Sequence, residues 1–213
     1  EKDTQESSPA PGVTLPIRLD FVLSPDVSDM MISSCQALDS TIQDLDLIGF
    51  IFDIFGKNIP KANKLSPDAF IQVALQLAYY RMYGQSQQLH LRESTEVIKG
   101  QGIDRHFLGL KLIALENGID LSKLLTDPVF ESSCYWQLST SQVPTKSENI
   151  LCFAPVVPDG YGVCYNPMEK SMLFAVSAWN SCPDTNAAKL YSHLKEALID
   201  AQDILMQSQN SNL

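Results

Sequence analysis

The tripeptide Ser-Pro-Asp occurs twice, at 24–26 and 66–68, and an apolar run of strand character lies upstream of each copy. Its serine is an N-cap, its proline fits a first helical turn where the missing N–H has no partner to lose, and its aspartate matches the positive end of the helix dipole. Upstream of the first copy, Ile17, Leu19, Phe21 and Leu23 alternate with Arg18, Asp20 and Val22, which is strand spacing. Upstream of the second, Leu47 to Phe55 is apolar, rich in Ile and Phe, and too short for an ordinary helix; it reads as a buried strand. A chain that alternates strand and helix in this way is predicted to form an α/β layer on a mixed sheet with flanking helices.

The remaining pattern agrees. The first Ser-Pro-Asp opens a helix to about Thr41. In the second helix, Phe70, Val73, Ala74, Leu77 and Ala78 share one face as far as Gly84. Ile103, Phe107, Leu110 and Ala114 predict a further helix ending at Asn117-Gly118. Strands are expected at 136–138, 151–153, 162–165 and 173–179, and Asp184 is expected to cap a long helix carrying Leu190, Leu194, Ala197, Leu198, Ala201 and Leu205. Residues 1–12 are polar, contain proline and lack periodicity, which predicts a disordered tail or linker; 13–206 form one lobe and 207–213 fray.

With 213 residues and 45% hydrophobic content, one well-filled core is expected, and no apolar run is long enough to cross a bilayer. A net charge of −10 repels phosphate backbones, which argues against general nucleic-acid binding. The five cysteines are widely spaced without a C-x-x-C pair, so neither a disulfide framework nor a zinc site follows; buried reduced thiols are expected.

Three places carry candidate chemistry. Lys57, Lys61 and Lys64 precede the Ser66-Pro67 helix start, where free N–H groups and the dipole favour an anion; three solvated surface lysines are the plainer alternative. In Asp104-Arg105-His106 the guanidinium suits a bidentate carboxylate, or equally a structural ion pair. His90, His106 and His193 read more readily as structural residues than as bases. In Leu138-Ser139-Thr140-Ser141-Gln142, alternation puts Ser139 and Ser141 on one face and Thr140 on the other. No G-x-S-x-G elbow surrounds these serines, so they suit an oxyanion better than nucleophilic attack, with a polar strand edge as the alternative.

Four ordered motifs carry a family resemblance: Lys64 to Gln72 continuing to Tyr83-Gly84-Gln85; Asp104 to Leu110; Ser139 to Pro144; and Pro155 to Pro167. Together they resemble the C-terminal half of the carnitine and choline acyltransferases, over about Ile17 to Leu205 with one break. The resemblance implies acyl transfer between coenzyme A and carnitine in a tunnel between two chloramphenicol acetyltransferase-like lobes, of which this chain resembles the second, incomplete. It would place Lys57, Lys61 and Asp68 at coenzyme A, Gln142 along the pantetheine arm, and Arg105 with Ser139 at the carnitine carboxylate. Ser141 would face the tetrahedral oxyanion, and Phe153 would lie beside the trimethylammonium group. Arg105 favours carnitine over choline, since the choline enzymes carry asparagine there. Leu151 stands where medium- and long-chain relatives have a pocket-opening glycine, which favours short acyl groups, acetyl first.

Departures from the family pattern are equally specific. The family's general base is a first-lobe histidine in a His-x-x-x-Asp/Glu setting, which none of His90, His106 and His193 has. After Gly84-Gln85 the family has a tyrosine-containing strand and an Arg-Thr-Asp/Glu-Thr segment at carnitine; here Ser86 to Glu96 follows directly. The resemblance thus implies a chain that holds coenzyme A, carnitine and oxyanion contacts, needs a first lobe as partner, keeps no permanent cofactor, and is inactive alone. A coenzyme A-binding remnant and an unstable truncated form are the alternatives. The family works in mitochondria and peroxisomes, and the terminal Ser211-Asn212-Leu213 resembles a peroxisomal Ser-Lys-Leu address with its lysine replaced.

Overall fold

The computed structural model of the chain describes residues 17, 19–85, 103–121, 123, 125–143 and 145–211, in two units, 1–43 and 44–213. Helix α1 (Pro25–Asp44) accounts for most of the described part of the first. It begins as expected, with Ser24 Oγ accepting from Val27 N at 3.4 Å. The expected Ile17–Leu23 strand is absent: among its described residues there is no regular structure, and Ile17, Leu19 and Phe21 are largely exposed. Alternation prepares a segment for pairing, but a lone strand leaves its N–H and C=O groups to water and gains nothing by extending.

The second unit contains β1 (Leu45–Phe52), α2 (Asn58–Ala62), α3 (Pro67–Tyr83), α4 (Ile103–Glu116), α5 (Pro128–Ser133), β2 (Leu138–Gln142), β3 (Tyr161–Pro167), β4 (Met172–Trp179) and α6 (Ala187–Ser211). The sheet order is β1-β4-β3-β2, with β2 parallel to β3 and the other pairs antiparallel. It is thus the mixed α/β layer anticipated. Helices α3 and α6 cover one face, where Phe52, Tyr161, Val163, Tyr165, Phe174 and Val176 meet Ile71, Leu75, Leu190, Leu194 and Leu198. Each such fully buried aliphatic side chain stabilises the fold by about 1.5–3 kcal/mol.

Helix α3 shows how the sequence specifies a boundary. Ser66 accepts from Ala69 N at 3.4 Å, Pro67 is the first helical residue, and Gly84 closes the helix at φ 69°, where a Cβ is costly. Its buried face is shifted from the one expected: Ile71, Leu75 and Tyr79 are buried with Phe70, Ala74 and Ala78, whereas Val73 is exposed. The helix is wedged against both the sheet and α6, so a broader stripe is covered than the i, i+3, i+4 rule selects.

Four further expectations need correction. Among the described strands β1 lies at an edge rather than in a buried position, and Leu47 and Ile51 are exposed. Residues 151–153 form no strand but belong to the β2–β3 crossover. Asn186, not Asp184, caps α6, accepting from Lys189 N at 2.7 Å. All five cysteines are free thiols, but only Cys164 is buried, while Cys35, Cys134 and Cys152 are exposed.

Candidate active site

Strand β2 pairs with β3 so that Ser139 lies opposite Gly162, Thr140 opposite Val163, Ser141 opposite Cys164 and Gln142 opposite Tyr165. Val163 and Tyr165 belong to the helix-covered core, so Thr140 shares their face and the two serines take the other. Ser139 is half-buried and Ser141 exposed, so neither residue is buried in the packed interior. Among the described strands β2 is paired on one side only, and it carries the hydroxyls at that margin of the sheet.

The crossover between β2 and β3 lies over the serines' face. Two buried polar side chains pin it: Ser177 donates to the Phe153 carbonyl at 2.6 Å, and Asn166 Nδ2 donates to Thr145 Oγ1 at 2.9 Å and to the Ser147 carbonyl at 3.3 Å. Phe153 can approach because residue 162 is glycine; a Cβ there would stand 2.8 Å from the Phe153 carbonyl and 2.9 Å from its ring. Leu151, Val143, Cys164, Asn166 and Leu173 line a shallow cleft on this face. Ser139, Ser141, Phe153 and Leu151 are therefore gathered on one side of one pair of strands.

Of the three lysines, Lys57 lies beside the turn that follows β3. Gly56 leads from β1 into α2 with its Cα hydrogens packed on the β3–β4 turn, and Lys57 N donates to the Met168 carbonyl at 2.9 Å. Lys57 Nζ lies 4.0 Å from the Glu169 carboxylate, while Lys61 and Lys64 are exposed. Lys64 adopts φ 58°, the left-handed region, where Lys64 N donates to Lys61 and Leu65 N to Pro60 to close the turn before α3. In the first turn of α3, Asp68 accepts a hydrogen bond from the Tyr165 hydroxyl, and Gln142 sits in register with Tyr165 at the end of β2. Burial first, and then this bond to Asp68, hold the Tyr165 hydroxyl well above its ordinary titration range, so it stays a donor.

Arg105 lies in α4, and its side chain is outside the described ones. His106 is exposed on the same helix, and His90 lies outside the described residues. His193 is on α6, with Nδ1 3.7 Å from the Glu196 carboxylate. The Pro158-Asp159-Gly160 turn is set by Tyr135 and Gln137, both of which donate to Asp159. Burial raises the Asp159 carboxyl, but those bonds and its own backbone N–H outweigh it and hold the group below the ordinary value of 3.8. A depressed carboxylate adds stability that is present above 3.8 and is lost as pH falls through the lower folded value. Acid titration is therefore expected to loosen this turn, and Asp159→Asn should remove that pH dependence, as read from the Gly160 and Tyr161 amide shifts.

Sequence reasoning passed over Gln72, Tyr165, Asn166 and Ser177. Gln72 had a signal: it is a polar residue between Ile71 and Ala74 on an apolar helix, and it is buried. Its partners are distant in sequence and gave none.

Against known proteins, the family model described as choline/carnitine O-acyltransferase matches residues 1–90 and 85–196. The chain belongs to that family. Carnitine O-acetyltransferase of Columba livia is 38% identical over 257 residues, taking in 97% of this chain and 41% of the relative. The Homo sapiens enzyme of that name is 37% identical over the same span, and choline O-acetyltransferase of Sus scrofa is 33% identical over 248 residues, covering 92% of this chain and 39% of the relative. The chain thus spans about two fifths of the length of the curated relatives it matches. A 257-residue alignment cannot be filled by 213 residues, so the relative carries positions without counterpart here, and the two family matches meet at 85–90, where Gly84-Gln85 runs into Ser86. Among solved structures, the wax ester synthase/diacylglycerol acyltransferase from Marinobacter aquaeolei VT8 is similar at TM-score 0.42 and 11% identity, over 85% of this chain and 58% of that one. The epimerization domain from the third module of tyrocidine synthetase B is similar at TM-score 0.43 and 10% identity, over 78% of this chain and 49% of that one. No helix among the described residues is long and apolar enough to cross a membrane.

Proposed function

We propose that this chain is the second, chloramphenicol acetyltransferase-like lobe of an acyltransferase of the carnitine O-acetyltransferase type, with residues 13–206 forming the lobe. The supporting observation is the gathering of Ser139, Ser141, Phe153 and Leu151 on one face of β2 and β3. Ser141 donates to the oxyanion of the tetrahedral intermediate, Ser139 and Arg105 hold the carnitine carboxylate, and the Phe153 ring faces the trimethylammonium group. Leu151 narrows the acyl cleft to short chains. Lys57 and Lys61 attract the phosphates of coenzyme A, with Asp68 and Gln142 along the same substrate, which enters and leaves without a permanent cofactor.

The proton acceptor on this reading is a histidine of the first lobe, so the 213 residues by themselves bind without turnover; mitochondria or peroxisomes are the setting. Acetyl exchange between acetyl-coenzyme A and carnitine by the purified chain should stay at background, and clear turnover would overturn the assignment of the base elsewhere. The exposed lysines before α3 favour a second reading, a coenzyme A-binding remnant. Calorimetric titration should then show dephospho-coenzyme A binding weaker by about fivefold, the scale of one exposed ion pair. Equal affinities would remove the lysines from the site.

A further inference from the structure

Gln72 is a buried polar side chain among the apolar residues of the covered face of α3. Its Nε2 donates to Thr140 Oγ1 at 3.0 Å and to the Tyr165 hydroxyl at 2.7 Å, and that hydroxyl in turn donates to Asp68. The Tyr165 carbonyl accepts from Val143 N at 3.1 Å, immediately after β2. Thr140 lies between the two serines, and Asp68 lies one helical turn before Gln72. A continuous set of bonds therefore runs from the first turn of α3 to the middle of the strand that bears Ser139 and Ser141. Among the described residues the strand has a neighbour on one side only, so a side-chain tether contributes disproportionately to where its hydroxyls stand.

We propose that Gln72 and Tyr165 are positioning residues for the oxyanion strand, and that a ligand seated at Asp68 firms β2 through them. The second half rests on the coenzyme A reading above. Both residues act through Thr140 and the backbone rather than by touching substrate, and the second bond of Nε2 explains why an amide stands where the helix pattern calls for an apolar residue.

Hydrogen–deuterium exchange of the 213-residue chain tests this, with β4 amides as the internal reference and coenzyme A as the probe. Without ligand, Gln72→Met should speed exchange of the β2 amides bonded to β3, Val143 included, by about fivefold relative to β4, the worth of one neutral hydrogen bond. Thr140→Val should reproduce that change and Thr140→Ser should restore the native rate. A merely structural role would speed β2 and β4 together and would overturn the positioning of the strand. With saturating coenzyme A, the native β2 amides should slow; Tyr165→Phe should abolish the slowing while leaving affinity within about twofold. Slowing that survives in Tyr165→Phe overturns the link while coenzyme A binding stands. Absence of coenzyme A binding by the native chain overturns that reading and the ligand-linked half with it, and the ligand-free rates still decide the other half.

Discussion

Gly56→Ala is expected to lower stability by about 3 kcal/mol, the upper part of the usual overpacking range, and the melting midpoint by about 10 °C. A Cβ at this position would meet the Glu169 and Met168 carbonyl oxygens and the Ser171 amide nitrogen, each at 2.5 Å. All three are backbone atoms, so no rotamer change relieves the contact. The loop must move instead, and with it the bonds from Lys57 N to Met168 and from Asn58 N to Glu169. Against a total stability of about 5–15 kcal/mol for a typical domain, such a loss is substantial. Denaturation melts of the two proteins check it. An unchanged midpoint would mean that the β3–β4 turn yields more readily than its packing implies.

Gly162→Ala is the second large effect, about 2 to 3 kcal/mol, and it falls on the candidate site. The new Cβ would stand 2.6 Å from Ser177 Oγ, 2.8 Å from the Phe153 carbonyl and 2.9 Å from the Phe153 ring. Rotating the serine away would relieve one contact at the cost of its bond to the Phe153 carbonyl. Phe153 therefore has to lift from the sheet. Adding Ser177→Ala should recover only part of the loss, because the backbone and ring contacts persist. Full recovery by the double variant would show that the serine hydroxyl alone was the obstacle, and thermal melts of the single and double variants distinguish the outcomes.

Much of the framework was legible because local chemistry declares it. Ser66, Pro67 and Gly84 mark α3 whatever surrounds them, and Asn117-Gly118 closes α4 at φ 63° for the glycine. The serines' common face followed from the two-residue period alone. What remained illegible depends on partners far along the chain. Ile17–Leu23 and residues 151–153 have strand composition, yet the described residues of the first pair with no strand and the second is clamped by Ser177 as a loop. Gln72 meets Thr140 and Tyr165 across 68 and 93 residues, a separation at which no sequence pattern speaks. The shift of the α3 face from Val73 to Ile71 and Leu75 likewise follows from α6, whose placement only the assembled core reveals.

The left-handed backbone at Lys64 sets conformational ease against charge. An L-residue in that region costs about 1–2 kcal/mol, which glycine would not incur. Glycine would equally remove an ammonium group from the approach to α3. Ease of folding and local positive charge thus pull residue 64 in opposite directions, and the lysine found there keeps the charge.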